Sequence, residues 1–369
     1  MGYELLIILV ASLTALACAI PGIFLILRGI AMMSDALSHS VLLGIVLMLF
    51  IVGDLSSPYL LVGAGLTGIF LVFLIELLGK TKRLPSDAAM ALVFPALFSI
   101  AVFLINKYLH NVHIDTHMVL SGEILYISPK DSLILFGYNL GPKPFYTMLI
   151  ILLINISFIG VFFKELKIST FDKQLASTIG SHPMLMHYFL MAVVAITAVG
   201  SFKFVGSILV TGLMIAPAAT AYLLTDNLFK MLIIASIVGV VSAVSGFYLA
   251  DFINSSPTGS MAMMTGVSFL IAYIFAPKRG LIAKFIGQSH QKDALARKIL
   301  LTHLLHGEDD QSSKKEVLSS IQWKERFVDK ILNGLIEENL VKSESNHIVL
   351  TDRGKKLLNE LRSLSPITM

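Results

Sequence analysis

The sequence has little charge and almost no cysteine. Charged residues make up 14% of its 369 positions, Cys18 is its single cysteine, and hydrophobic residues make up 56%. One thiol excludes a disulfide within the chain and any zinc or iron–sulfur site built from several cysteines of one chain. The low charge and the mean hydropathy of +0.81 exclude a water-soluble globule of this length. The composition therefore predicts a membrane protein, in which a metal site would have to use His, Asp, Glu or Met.

The sequence also lacks the loop G-x-x-x-x-G-K-[ST], whose backbone binds nucleotide phosphates. This excludes ATP hydrolysis at a site of that kind, so the chain is expected not to be an enzyme. The formal net charge of +4 is also found in nucleic-acid-binding proteins. In a membrane protein it is better explained by basic loops on the cytoplasmic side.

Long apolar runs fill residues 1–282. A helix that crosses a bilayer needs about 20 mostly apolar residues, and the runs predict spans near 4–28, 36–53, 58–79, 87–106, 145–163, 184–200, 205–224, 229–250 and 260–276. We expect eight or nine transmembrane helices, because a re-entrant helix can resemble a span. Basic residues that end two of the spans are expected to face the cytoplasm, which places the N-terminus outside if every span crosses: Lys80, Lys82, Arg83, Lys278 and Arg279.

After Lys278 the composition changes to a charged segment with amphipathic periodicity. We predict a transmembrane domain over 1–282, a linker over 283–289 and a cytoplasmic domain over 290–369. In the last domain the pattern predicts helices at 292–305, 314–320, 324–339 and 352–364, a polar turn after the first of them, and strands at 340–344 and 347–350. This order is that of a winged helix-turn-helix. The predicted fold class is an all-α polytopic membrane protein with a small α+β winged-helix domain.

Asp35 and His39 interrupt the second apolar run. Four positions apart, they share one face of a helix, and a carboxylate at the centre of a membrane helix costs roughly 2.5–3.5 kcal/mol. A cation bound by both would offset that cost. The two residues form half of a four-ligand site, which a symmetric dimer would complete as His₂Asp₂ for zinc, manganese or iron(II). Alternatively, Asp35 caps a helix start near the membrane surface and His39 bonds a neighbouring carbonyl.

Three motifs resemble those of the manganese/zinc/iron-type ATP-binding-cassette permeases. Residues 34–41 read Ser-Asp-Ala-Leu-Ser-His-Ser-Val, similar to the family's Asp-Ala-Leu-Ser-His signature. Residues 201–221 resemble its late membrane motif, with Pro-Ala-Ala-Thr at 217–220, and residues 276–281 resemble its closing motif. The late motif here carries Thr211 and Met214 among aliphatic positions. Met214 is predicted to pack rather than to bind an ion, because thioethers fill irregular helix interfaces.

The resemblance implies the membrane-spanning subunit of an importer for manganese, zinc or iron in a bacterial-type plasma membrane. It implies no permanently bound cofactor, and it implies that Asp35 and His39 line the path of the transported ion. Three partners are implied as well: a cytoplasmic ATPase, an extracytoplasmic metal-binding protein, and a second permease copy or homologue.

A short helix is predicted in residues 169–182, capped by Ser169 or Thr170 and ending at Gly180. It resembles the coupling helix with which this family contacts its ATPase, although an ordinary loop helix would account for the same pattern. The positions that match the family's pattern are Phe171, Asp172, Leu175, Ala176 and Gly180.

Two further groups of side chains are candidates for binding. The loop before the fifth span has residues suited to metal capture, with a solvated polar loop as the simpler account: His110, His113, Asp115 and His117. The segment 341–364 resembles the wing of iron-dependent-repressor-type domains, which implies that residues at the helix 324–339 contact DNA or a partner: Trp323, Lys324, Arg326 and Lys330. The near-neutral charge of this tail favours a protein partner over DNA.

Two other functions remain open from the sequence. One is a membrane-tethered, metal-responsive regulator that binds DNA through its tail. The other is a proton-coupled secondary transporter that uses Asp35 and His39 as a proton relay. An electrophoretic shift with residues 285–369 tests the first of these. Copurification of an ATPase through residues 169–182, or its absence, tests the second.

Overall fold

The structure, a computed structural model, describes residues 3–54, 57, 59–80, 84–108, 132–135, 138–305, 311–313, 325–344, 347–351 and 353–356. The chain forms two compact units, Met1–Gly280 and Leu281–Met369. The second unit begins with a helix from Leu281 to Leu305, so the residues predicted as a linker, 283–289, lie within a helix. This segment has no proline and only Gly287 as a helix-weakening residue, so its sequence contains no strong break.

The first unit is a bundle of apolar helices. Its described elements are α1 (Tyr3–Leu27), α2 (Met33–Val52), α3 (Tyr59–Gly79), α4 (Ser86–Tyr108), the hairpin β1 (Ser132–Leu135) and β2 (Tyr138–Pro142), α5 (Lys143–Val161), α6 (Phe163–Phe171), α7 (Lys173–Thr178), α8 (Pro183–Leu224), α9 (Leu228–Ile253) and α10 (Pro257–Phe275). Within the described residues, 9 helical segments are long and apolar enough to cross a membrane, and α8 contains two of them. The predicted polytopic helical membrane fold is confirmed.

The centre of the bundle is formed by α1 and α8. Small side chains of α1, among them Ala15, Ala17 and Ala19, are completely buried, as are Ala195 and Ala198 of α8. Small residues let helix backbones approach closely, which is how helices associate in a bilayer, where burial of apolar surface provides no driving force. At Gly22 the backbone of Met214 lies so close that a methyl group would overlap its carbonyl.

The chain reverses direction within α8, at Gly206. Asn155 donates hydrogen bonds to both Ala17 O and Thr197 Oγ1, at 2.8 and 2.9 Å, so the first half of α8 contacts α1 near Ala17. The second half contacts α1 at Gly22, only about 7.5 Å further along that helix. In one straight helix Thr197 and Met214 would lie about 25 Å apart, which these contacts exclude.

Gly206 makes the reversal because its φ of 76° and ψ of 162° are accessible to glycine and strained for other residues. The two predicted spans 184–200 and 205–224 are therefore the two arms of one hairpin. Both open ends of this hairpin lie at the end of the bundle where α1 finishes, which we call the Arg28 end.

The second unit contains α11 (Leu281–Leu305), β3 (Gln311–Ser313), α12 (Glu325–Glu337), β4 (Val341–Glu344) and β5 (His347–Leu350). The strands form an antiparallel sheet in the order β3-β5-β4. Its hydrophobic core joins both helices to the sheet, and its fully buried members include Leu300, Leu304, Val328 and Leu335. After β5, the Thr351 hydroxyl donates hydrogen bonds to the carbonyls of Asn339 and Leu340, which precede β4.

Three elements predicted for the tail lie close to their predicted positions. The ends of the predicted helix 324–339 and of the predicted strands 340–344 and 347–350 are within two residues of the ends of α12, β4 and β5. The helix expected at 292–305 begins eleven residues earlier, at Leu281, and three residues of the predicted polar turn form β3. Residues 314–320 lie outside the described residues, and only 353–356 of the last helix are described. The winged-helix assignment remains a prediction.

Candidate metal site and docking helices

Asp35 and His39 lie one turn apart on α2. Nε2 of His39 is 3.7 Å from Oδ1 of Asp35, and the side chains are 36% exposed for His39 and 40% exposed for Asp35. Asp35 is in the first turn of α2, but the N-cap position belongs to Met32, which makes no side-chain capping bond. The alternative in which Asp35 caps the helix start is therefore wrong. The helix begins before Asp35 because Met33 and Ser34 donate backbone hydrogen bonds to Ile30 and Ala31.

The pair lies inside the thickness of the bundle. Leu37, between the two residues, packs against Gly68 of α3, where an added methyl group would also meet the Ala195 side chain. Ala195 is about 12 Å along α8 from His187, which is at the Arg28 end. Leu37 therefore lies roughly two helical turns from the level of His187, and the pair that flanks it lies within the candidate span Met33–Val52. A carboxylate in such a span needs a compensating cation or donor.

Two phenylalanines of α4 hold the imidazole of His39. Its ring stacks on Phe94, with 5.9 Å between centroids and 26° between planes, and meets Phe98 edge-on at the same centroid distance. Such aromatic contacts fix the orientation of a ring and contribute about 0.5–1.5 kcal/mol beyond buried area. The imidazole is thus oriented by an apolar wall, and its Nε2 faces the carboxylate.

Within the part of the chain that the structure describes, Asp35 and His39 do not by themselves make a complete metal site. Among the residues that the structure describes, no group of three or more His, Cys, Asp or Glu side chains is placed to hold a metal ion. A structural site needs about four ligands, and a transport site needs enough of them to replace part of the hydration shell of the ion. The exposed fractions of both side chains leave room for ligands from outside the chain.

A second acid–imidazole pair, which the sequence analysis missed, lies at the Arg28 end. Nε2 of His187 is 3.5 Å from Oε1 of Glu76, and the Tyr188 hydroxyl donates to Oε2 of the same carboxylate at 2.6 Å. On the other side of the ring, Arg28 Nη1 is 3.2 Å from Nδ1 of His187. In the sequence, the sign of this second pair is that one ionisable residue lies near one end of each of three apolar runs.

The hydrogen bond from Arg28 excludes this second pair as a metal site. A guanidinium can only donate, so Nδ1 of His187 must be the acceptor and the proton of a neutral ring must be on Nε2. Nε2 then has no lone pair for a metal, and a cation would also be repelled by Arg28. Burial lowers the pKa of Arg28 to about 10, so the guanidinium remains charged at neutral pH. His39, by contrast, has no arginine beside it among its described contacts.

The helices α6 and α7, which we call the docking helices, contain the predicted coupling residues. Asp172 caps α7: its Oδ1 accepts from the backbone N–H of Gln174 and Leu175, both at 2.9 Å. The prediction that Ser169 or Thr170 is the cap is wrong, because their hydroxyls donate to Leu166 O within the preceding helix. Gly180, at φ 84°, ends α7, with backbone bonds from Gly180 to Ser177 and from Ser181 to Ala176.

The five predicted coupling residues separate into two groups. Asp172 and Gly180 define the ends of α7, and Ala176, on the inner face of this helix, is completely buried. Phe171 and Leu175 are 61% and 48% exposed, and Ile179 follows one turn later, also exposed. Exposed apolar side chains at this spacing form a patch suited to a protein partner.

The remaining candidate residues receive little or no structural support. His110, His113, Asp115 and His117 lie outside the described residues, as do Trp323 and Lys324, and the side chain of Arg326 is not described either. Lys330 is on α12, where its Nζ donates to Asp293 of α11 at 2.6 Å. This lysine is already paired within its own unit, which weakens its assignment as a DNA contact.

Apolar helices that could cross a membrane identify a multi-pass membrane protein. The chain belongs to the ABC 3 transport family, whose model matches residues 3–276.

Proteins with similar sequences are consistent with membership of this family. The chain is 42% identical over 284 residues to the manganese transport system membrane protein MntD of Bacillus subtilis (strain 168), which covers 77% of this chain and 96% of that protein. It is 40% identical over 356 residues to the zinc transport system membrane protein TroD of Treponema pallidum (strain Nichols). This similarity covers 95% of this chain and 96% of that protein. The fold is similar to the solved structure of PsaBC from Streptococcus pneumoniae in complex with Fab, with a TM-score of 0.63 and 28% identity over 76% of this chain and 94% of that one.

Proposed function

We propose that this chain is the membrane-spanning permease subunit of an ATP-binding-cassette importer that carries a divalent transition-metal ion past Asp35 and His39. The observation that carries the proposal is the position of this pair. The carboxylate and the imidazole lie within the candidate span Met33–Val52, partly exposed, with no cationic side chain among their described contacts. A passing cation supplies the compensation that the protein does not.

A second permease copy would complete the site. Facing pairs from two chains give two carboxylates and two imidazoles, a donor set that suits manganese, zinc or iron(II) better than alkali ions. The exposure of the two side chains supports this arrangement, because a carboxylate left facing lipid would cost several kcal/mol. The similarity to manganese and zinc proteins at 42% and 40% identity supports the metal class and does not select between the metals.

The docking helices are proposed to bind a separate ATPase subunit. Their exposed apolar patch, formed by Phe171, Leu175 and Ile179, lies at the Arg28 end. Basic side chains gather at that end, as expected for the cytoplasmic face: Arg28, Lys80, Lys164, Lys167, Lys173, Lys278 and Arg279. An extracytoplasmic metal-binding protein would then deliver the ion at the opposite end.

The tail is proposed to act within the transporter on the cytoplasmic side. The similarity to TroD extends over 95% of this chain and so includes much of the second unit. The described exposed face of α12 includes Lys330, paired with Asp293, and Glu337, which is not the basic surface that DNA binding requires. An electrophoretic shift by residues 281–369 on DNA at physiological salt would favour the regulator hypothesis instead.

Uptake measurements test the transport proposal. In cells or vesicles that contain the complete transporter, we expect Asp35→Asn and His39→Ala each to reduce Mn²⁺ or Zn²⁺ uptake by at least about a hundredfold, because each removes a proposed ligand. Asp35→Asn nearly preserves the side-chain volume, and His39→Ala is compatible with the helix. Asp251→Asn is the matched control, since this exposed carboxylate lies near the end of α9 away from Arg28. Normal uptake by both site variants would refute the assignment.

A further inference from the structure

Arg28 connects the docking helices to the membrane bundle. Its guanidinium makes three side-chain hydrogen bonds: Nε to Thr170 Oγ1 at 3.1 Å, Nη2 to Ser169 Oγ at 3.1 Å, and Nη1 to His187 Nδ1 at 3.2 Å. Through His187 the connection reaches Glu76 of α3, whose other oxygen accepts from Tyr188. Arg28, which directly follows α1, thus bonds α6 and α8 directly and is connected to α3 through His187.

The hydroxyls on the docking side are oriented for this contact. Thr170 and Ser169 donate their protons to Leu166 O, at 2.6 and 3.2 Å, so their oxygen lone pairs are free to accept from Arg28. Both residues lie in the last turn of α6, where a cation is also favoured by the helix dipole. Two residues later Asp172 begins α7, so the guanidinium is anchored next to the proposed ATPase-binding patch.

The link from Arg28 to Asp35 is short and hydrogen-bonded. Gly29, at φ 68°, ends α1, with backbone bonds from Gly29 to Ile26 and from Ile30 to Leu25. Met33 then bonds back to Ile30, and the Ser34 hydroxyl donates to Ala31 O. Hydrogen bonds therefore hold the segment 29–34 in place, and through them a displacement of Arg28 would reach the first turn of α2, which contains Asp35.

A second route runs through α8. His187 is near the start of α8, and the same helical arm packs Ala195 against Gly68. Leu37, between the two proposed ligands, also packs against Gly68. Movement of the docking helices that pulls on the guanidinium would thus reach the Asp35–His39 pair by two routes, through the first turn of α2 and through α8. The hydrogen bonds of this network are partly buried, which strengthens them relative to fully solvated ones.

We propose that Arg28 is a positioning residue through which ATP-driven movement of the docking helices reaches the turn of α2 that holds Asp35 and His39. The inference rests on the proposed function, since it assigns how the metal path is coupled to the ATPase. A purely structural role for Arg28 predicts loss of protein or of assembly. A coupling role predicts an assembled transporter that hydrolyses ATP without moving metal.

The test uses proteoliposomes that contain the chain with its co-purified ATPase, in which Mn²⁺ uptake and ATP hydrolysis are measured together. Arg28→Lys keeps the charge, but its three donors are on one nitrogen and cannot reach the three acceptors that the planar guanidinium spans. We therefore expect uptake to fall about tenfold or more while ATP hydrolysis stays within about twofold of wild type. The number of ATP molecules hydrolysed per ion rises accordingly. The matched control is Arg279→Lys at the same end, where Arg279 bonds Tyr222 O and Asp226 and makes no bond to the docking helices.

A second variant removes the partners rather than the arginine. Ser169→Ala combined with Thr170→Val deletes both acceptors on α6 without changing charge, and it decides the question if Arg28→Lys does not accumulate. We expect the same uncoupling, roughly threefold to tenfold in uptake. Unchanged coupling in these variants, or parallel loss of uptake, hydrolysis and bound ATPase, would overturn the inference while leaving the proposed function intact. A wild type without ATP-dependent Mn²⁺ or Zn²⁺ uptake would overturn the proposed function itself.

Discussion

The imidazole of His39 stacks on the ring of Phe94, with 5.9 Å between centroids and 26° between the ring planes. Phe94 belongs to a different helix, α4, so the orientation of this proposed ligand depends on packing between α2 and α4 rather than on α2 alone. Ligand residues in metal sites normally depend on such support, because a loosely held ring binds metal less well.

Replacement of Phe94 by leucine should weaken metal binding without unfolding the bundle. Leucine keeps most of the apolar volume but removes the stacking surface, so we expect the Mn²⁺ or Zn²⁺ concentration for half-maximal uptake to rise roughly threefold to tenfold. Phe103→Leu, at an exposed position on the same helix, is the control and should transport normally. Equal kinetic constants for Phe94→Leu and wild type would show that the ring contact has no role.

The position of Phe98 predicts which surface two copies of the chain share. Phe98 contacts His39 edge-on and is exposed, so it should lie near its counterpart if two Asp35–His39 pairs face each other. Cys18 is the single cysteine, so Cys18→Ala with Phe98→Cys gives one accessible thiol per chain. A short bifunctional thiol reagent should link two chains in membranes. Phe252→Cys, strongly exposed at the end of α9 away from Arg28, should not be linked; the reverse pattern would place the interface elsewhere.

The close contact at Gly22 predicts a large loss of stability for a small substitution. In Gly22→Ala the methyl group would overlap the backbone of Met214, which cannot move without shifting the second arm of α8. Overpacking of this kind costs about 1–3 kcal/mol or more. The matched substitution Gly266→Ala meets nothing within 4 Å and should be neutral or slightly stabilising. Thermal unfolding in detergent compares the two, and similar midpoints would contradict the described helix contact.

The cap at Asp172 predicts a graded effect on ATPase binding. Asp172→Ala removes the acceptor for two backbone N–H groups, which should destabilise α7 by about 1 kcal/mol and reduce the ATPase that co-purifies. Asp172→Asn keeps the capping oxygen and should retain most binding. Loss of binding in both variants alike would indicate that the charge of Asp172, rather than its cap, is what the partner contacts.

Much of the first unit could be predicted from the sequence, because each span is a local signal. The apolar runs predicted the helices to within a few residues, and the four-residue spacing placed Asp35 and His39 on one face of α2. The reversal at Gly206 was harder to predict, because two adjacent spans and one tight hairpin have the same hydropathy. Contacts with Ala17 and Gly22 on a distant helix were needed to show it.

The Arg28 network could not be predicted from the sequence. Its members come from four helices that are far apart along the chain, and each residue alone resembles an ordinary polar end of a span. The helix cap was assigned wrongly for a related reason. Ser169 and Thr170 are good capping residues, but α6 continues through them and uses their hydroxyls for Arg28, which leaves Asp172 to begin the next helix.

The most direct test of the account is the metal content of the purified permease. With both chains of a dimer contributing, equilibrium dialysis against Mn²⁺ or Zn²⁺ should give about one bound ion per two chains. This ion should be lost in Asp35→Asn and in His39→Ala and kept in Asp251→Asn. Unchanged binding of the ion in both site variants would contradict the claim that Asp35 and His39 hold the transported metal.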